Sequence, residues 1–270
     1  MKHVNLKGKT YTFSGIYRGV VVDNVDPLLA GRVKIRVYPM FEGVDDKSLP
    51  WAIYSDAMFG GLANNGGIFI PEIDSHVWVF FEAGDHRYPV YFGAAPAIVE
   101  EIPDIPTLSR ESEETVDAIN DIVTTGVATG DDSSWDEPES AYAAEYPNNK
   151  VFRLTSGITV ELDNTEGNER IHIYHPSGTR TEIDASGNKA VRVVSNDYEV
   201  IHGDQYVNVK GNCNLTVDSN CTTYIKGNWD IKVDGDKTET IGGNVTESYG
   251  GNQTTDAATV AITAGRIDLN

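Results

Sequence analysis

Residues 187–258 read GNKAVRVV, SNDYEVIH, GDQYVNVK, GNCNLTVD, SNCTTYIK, GNWDIKVD, GDKTETIG, GNVTESYG and GNQTTDAA. Every eighth residue is glycine or serine: Gly187, Ser195, Gly203, Gly211, Ser219, Gly227, Gly235, Gly243 and Gly251. Each is followed by Asn or Asp, and these two types fill only 42 of the 270 positions. Nine hits in nine slots by composition alone has a probability on the order of 10⁻⁷, so the period is real. Gly-Asn and Gly-Asp pairs tolerate positive φ and bend the chain. The six residues between bends make one short strand, whose alternate side chains share a face.

Six places after each Gly or Ser stands an apolar residue: Val193, Ile201, Val209, Val217, Ile225, Val233, Ile241 and Tyr249, weakening to Ala257. That slot therefore looks inward. Four places after the bend the same face carries Val191, Val207, Leu215 and Ile231, but also Glu199, Glu239 and Glu247. The interior is thus apolar early and more polar toward the C-terminus. A lone row of such strands leaves both backbone edges bare. Two architectures cure this. Three octads could close one coil of a single-chain β-helix, or three identical chains could wind together as a three-sided prism. Either way each octad advances by about the strand spacing, and nine octads make a needle roughly 43 Å long. No 24-residue superperiod stands out, which favours three chains, because the corners of a single-chain coil need not be equivalent.

Outward from the octads, residues 146–186 read as lead-in strands. Residues 96–145 hold 14 acidic residues and one basic one, Arg110, and open on Pro96, Pro103 and Pro106. This acidic linker is expected to be solvated or to wrap a partner as a strap, with a short helix only at 109–123. Residues 1–95 read as a small β barrel. In GRVKIRVY (31–38), Val33, Ile35 and Val37 alternate with Arg32, Lys34 and Arg36, the period of a half-buried strand. Further strands are expected at 19–22, 51–54, 68–70, 76–82 and 88–92, the last two joined by Ala83-Gly84-Asp85-His86-Arg87. The fold class is therefore all-β: an N-terminal barrel, a linker at 96–145, lead-in strands at 146–186 and an octad β-helix at 187–270.

Composition excludes several classes. A net charge of −20 opposes binding to phosphate backbones, so no nucleic-acid partner is expected. No apolar run approaches the roughly 20 residues of a membrane helix, and MKHVNLKGKTYTFSG holds no signal-peptide core. Two cysteines make no disulfide framework, consistent with a reducing assembly compartment.

The octads, with NKVFRLTSGITVELDNTEGNERIHIYHPSGTRTEID (149–184), resemble the central spike, or cell-puncturing device, of contractile phage tails, a family related to the valine-glycine-repeat spikes of type VI secretion. GVVVDNVDPLLAGRVKIRVY, LPWA and GIFIPEIDSHVWVFFEAGDHRYPVYFGA are similar to that family's OB-fold base domain. The resemblance covers about residues 15–95 and 146–255. It implies a homotrimer with a triple-stranded β-helix, an OB-fold docked on a hub ring at the end of the tail tube, and a conical PAAR-like tip protein. It also implies location in the virion baseplate after assembly in the host cytoplasm, and transient contact with an outer membrane. Some family members carry a lysozyme between OB-fold and β-helix. Here that interval is only the linker, so a structural, non-enzymatic role is expected. The alternatives are a type VI-like or bacteriocin spike, a receptor-binding tail spike, a single-chain β-helix binding module, or a peptidoglycan hydrolase.

No catalytic set and no cofactor are expected. His172 and His175 fall on opposite faces of a strand and read as strand-surface residues rather than metal ligands. His76, His86 and His202 read as structural. Cys213 and Cys221 occupy one octad slot and read as needle filling. Trp51, Trp78 and Phe80 read as core or trimer contacts. In a trimer Glu239 and Glu247 become carboxylate rings that must bind a cation, pair with Lys237 or stay protonated; an axial ion is kept there by analogy only. Beyond Asn252 the pattern lapses into Val260, Ile262, Ile267 and Leu269, apolar residues suited to contact with a tip protein.

Overall fold

The computed structural model describes all residues except 1–3, 7–8, 57–59, 62–65, 110–122, 131–132 and 268–270. The helix expected at 109–123 and the contact residue Leu269 fall largely or wholly outside the described residues. The chain divides into two units, Met1–Thr216 and Val217–Asn270.

The first unit begins with a hairpin, β1 (Val4–Leu6) and β2 (Lys9–Tyr11). Five strands then close into a barrel: β3 (Tyr17–Asp23), β4 (Val33–Val37), β5 (Trp51–Tyr54), β6 (His76–Phe81) and β7 (Pro89–Ala94). Their order around the barrel is β3-β4-β5-β7-β6, with β5 and β7 parallel and the other pairs antiparallel. Val33, Ile35 and Val37 are buried with Val21, Val77, Val79 and Phe81 as the alternation predicts, but Lys34 on the opposite side is buried too, its ammonium donating to the Lys47 carbonyl. Gly19 permits the close approach of β3 to β4, since a Cβ there would lie 2.3 Å from Ile35 Cγ2. The strand expected at 68–70 is absent. The parallel pair Ile53–Val90 closes the barrel without it, leaving Ile68, Phe69 and Ile70 exposed in a loop. Nor do Trp51, Trp78 and Phe80 enter the core. Lys34 and Arg32 sit over the Trp51 ring and Arg18 over Trp78, while Phe80 contacts Phe92.

Short hairpins follow, β8 (Ile98–Val99) with β9 (Ile102–Pro103) and β10 (Val127–Ala128) with β11 (Ser134–Trp135). The lead-in is a five-stranded antiparallel meander: β12 (Asn149–Arg153), β13 (Thr159–Asp163), β14 (Arg170–Tyr174), β15 (Arg180–Ile183) and β16 (Lys189–Arg192). The first octad thus folds back onto the sheet through β16. From Val193 to Ile267 the chain forms no strand ladder with itself, and every side chain is exposed.

Candidate trimerisation interface

The meander has two faces of opposite and unusual character. One carries Asn149, Thr159, Glu161, Asp163, Arg170, His172, Arg180 and Glu182, all buried although polar or charged. The other carries Phe152, Leu162, Ile171, Ile173 and Val191, all exposed although apolar.

The polar face is covered by the C-terminal half of the acidic linker, which is a strap on its own chain rather than a solvated tether. The register places Glu161 opposite His172, and His172 opposite Glu182. Arg170 bridges Glu161 (2.8 Å) and Glu182 (2.9 Å), and His172 Nδ1 shares a hydrogen bond with Glu161 (2.9 Å). Asn149 donates to Glu161 and to the Leu108 carbonyl, each at 2.8 Å. From the strap, Ser140 Oγ and the Ala141 N–H donate to Glu182 at 2.7 and 2.9 Å. The Tyr142 ring lies under the Arg170 guanidinium. Arg180 donates to the Pro138 carbonyl (2.9 Å) and Arg192 to Glu137 (2.7 Å).

Burial pushes the Glu161 carboxyl up. The hydrogen bond with His172, the Arg170 charge and Asn149 outweigh it, and the group ends below its usual range. Glu182 follows the same balance, with burial opposed by Ala141, Ser140 and Arg170. Glu137 also ends lowered, burial being outweighed chiefly by Arg192 and the Thr124 N–H. His172, expected on the strand surface, is therefore buried, because the strap seals that face. His175 lies beyond β14 and bonds Ser177 instead.

The apolar face leads directly into the octads. Ile171 pairs with Leu162 and Ile183, Ile183 with Lys189, and Thr181 with Val191. Lys189 and Val191 are the second and fourth residues after Gly187, so the even octad positions continue the sheet's apolar face. Side-chain bonds in the octads respect the same division. Gln205–Glu199, Lys237–Glu239, Glu247–Tyr249 and Gln253–Tyr249 join even positions, while Asn196–Tyr198, Asp204–Tyr206 and Lys232–Asp234 join odd ones. Within one chain the residues six after each bend, from Val193 to Tyr249, are 38–53 % exposed, against 80–89 % for Tyr198, Tyr206, Leu215 and Tyr224. Eight residues give one repeated local geometry with one partly sheltered apolar slot.

Residues 159–258, the sheet from β13 onward plus all nine octads, match the bacteriophage T4 gp5 C-terminal trimerisation domain family. Residues 17–95, the barrel, match the type VI secretion system and phage-baseplate injector OB domain family. Protein Gp5 of Vibrio phage KVP40 is 27% identical over 256 residues, covering 72% of this chain and 61% of that protein. The chain is a homologue of Gp5. The pre-baseplate central spike protein Gp5 of Enterobacteria phage T4 is 38% identical over 68 residues, 25% of this chain and 12% of that protein. The chain thus spans less than two thirds of either Gp5 relative. The trimerisation match supports a homotrimer.

Among the described residues no cluster of three or more His, Cys, Asp or Glu side chains is placed to hold a metal ion. Glu239 accepts from Lys237 at 2.9 Å, and Glu247 from the Tyr249 hydroxyl at 2.7 Å. Of the expected tip contacts, Val260, Ile262 and Ile267 are exposed. The sequence reading missed the apolar sheet face and the buried charge network. Their signal was the alternation in ITVELD, RIHIY and RTEID, which marks two faces without saying which is covered.

Proposed function

We propose that the chain is the structural central spike of a contractile phage tail baseplate, working as a homotrimer without enzymatic activity. The observation that carries this is the exposed apolar face of the meander, Phe152, Leu162, Ile171, Ile173 and Val191, on the side shared by the even positions of the first octad. A contiguous apolar face of this extent requires a partner, and the trimerisation match makes that partner two further copies of the chain. Val193, Ile201, Val209, Val217, Ile225, Val233 and Ile241 then fill the axis, and the bends from Gly187 to Gly251 form the prism corners. The lack of any ladder within the chain from Val193 onward supports pairing between chains over a solitary coil.

Function follows from rigidity. In such a prism backbone groups pair between chains, so one strand cannot leave without breaking the whole register. The rod can transmit the thrust of sheath contraction through an outer membrane, and its polar odd face passes lipid without adhering. The barrel docks on the hub ring. Support for this is the loop after β3, where the Asp26 carboxylate accepts from the Leu28 and Ala30 N–H groups and the Arg32 side chain. That loop holds Leu28 and Leu29 out in solvent, Leu29 at φ 51°. Val260, Ile262 and Ile267 contact a conical tip protein. The spike resides in the virion baseplate and assembles in the host cytoplasm.

Native mass spectrometry of the purified chain tests the proposal. A species of about three times 29.5 kDa is expected; a well-folded monomer at micromolar concentration sinks it. Zymography on peptidoglycan tests the absence of hydrolase activity.

A further inference from the structure

We propose that Cys213 of one chain lies beside Cys221 of the next, giving the trimer three identical interchain thiol pairs that close into a covalent ring on oxidation. This rests on the trimeric reading above and adds a register to it.

Both cysteines are free and exposed in the single chain. Both stand two residues after the bend, Cys213 after Gly211 and Cys221 after Ser219. That even slot shares the face of the fourth and sixth positions, as the Lys237–Glu239 bond shows for the same slot two octads on. The thiols therefore belong to the face that continues the sheet's apolar surface.

The rest is geometry. In a three-chain prism each chain crosses one face per octad and then turns onto the next. The strand stacked beside one octad is then the following octad of the neighbouring chain. Because the repeat is eight residues with no remainder, equal slots stack side by side. Cys213 and the neighbour's Cys221 are one octad apart in the same slot, so they meet across one strand spacing of about 4.8 Å. A disulfide needs Cα atoms about 4.4–6.8 Å apart. In such a prism consecutive octads of one chain cross different faces, so the link forms between chains.

Symmetry completes the ring. Each chain gives Cys213 to one neighbour and Cys221 to the other, so three bonds use all six thiols and join all three chains. Three Cys213 thiols alone could not pair off. The oxidant is a low-molecular-weight disulfide such as glutathione disulfide. One thiolate attacks it and releases a glutathione thiol; the partner thiolate then displaces the second glutathione. Two protein thiols lose two electrons and two protons, and two glutathione thiols form. In a reducing cytoplasm the pairs stay open, and they close when the particle leaves it.

The test uses the full chain, first confirmed as a trimer by native mass spectrometry, so a failure of the trimer itself is seen separately. The trimer is oxidised with glutathione disulfide, and a second sample is refolded in a glutathione redox buffer so that access to the thiols is not limiting. Non-reducing denaturing gels should show most of the chain as a covalent trimer, with dimer at partial oxidation, and peptide mapping should find only Cys213–Cys221 links. Cys213→Ser and Cys221→Ser, each still trimeric by native mass, should each lose the cross-link entirely. A confirmed trimer that runs as separate chains after refolding in redox buffer overturns the proposal. So do like-with-like dimers in either single variant, because they place equal residues together across the axis.

Discussion

The barrel and the five-stranded meander are built from the same alternation, yet they bury opposite faces. In β4 the apolar residues Val33, Ile35 and Val37 are buried. In β14 the apolar residues Ile171 and Ile173 are exposed, and the polar Arg170 and His172 are buried. The barrel closes on itself through the β5–β7 pair, so one chain suffices to hide its apolar side. The meander is open and cannot. Its polar side is instead sealed by a strap of the same chain, and its apolar side stays exposed in the single chain. A period-two pattern therefore defines two faces, while closure decides which one becomes the interior.

The sharpest way to break this contrast is Ile171→Asp. Three unpaired carboxylates would be forced into the trimer axis, a cost of several kcal/mol each by order of magnitude. Native mass should fall from trimer to monomer while the barrel keeps its near-ultraviolet circular dichroism; a persisting trimer would show that the apolar sheet face is not the interface.

Glu161→Ala attacks the other side of the same sheet. It leaves Arg170 and His172 buried without their shared carboxylate, and breaking such a pair costs about 3–5 kcal/mol. Calorimetry should show the loss in the transition of the meander and not in that of the barrel. Ile35→Ala is the mirror experiment. It should lower barrel stability by about 2–5 kcal/mol and leave the trimer intact on native mass, since the interface lies elsewhere.

Acid should loosen the strap before it opens the barrel. Glu137, Glu161 and Glu182 are held below the ordinary glutamate value of 4.5. A carboxyl lowered by folding stabilises the fold fully above its unfolded value and loses that contribution as pH falls through its folded value. Hydrogen exchange at the Ala141 N–H should therefore rise only below about pH 4.5, and protection that persists to strongly acidic pH counts against the carboxylate network as the fastener. The smallest effect belongs to Ser140→Ala, which removes one of several donors to Glu182. A loss of about 1 kcal/mol is expected in a thermal melt, and a much larger one would mean the strap lacks redundancy.

Much of this was legible from residue order. The alternation of 31–38 located β4, and the turn at Ala83–Arg87 joined β6 to β7. At 68–70 the same reasoning failed: three consecutive apolar residues satisfy a strand pattern locally, but the parallel pairing of Ile53 with Val90 already closes the barrel. His172 failed in a related way. Nothing near it in the sequence announces Ser140 and Ala141, whose donors seal the network from about thirty residues upstream.

Residue order by itself determined the octad period, the recurrent apolar slot from Val193 to Tyr249 and the all-β class. Those depend only on the bend at Gly-Asx and the two-residue repeat of a strand, which act within a few residues. Only the tertiary structure decided that the linker is a strap, that the charges of the meander are inside, and that its apolar face runs on into the octads. Those outcomes depend on which distant segment reaches each face first, and short-range pattern carries no record of that.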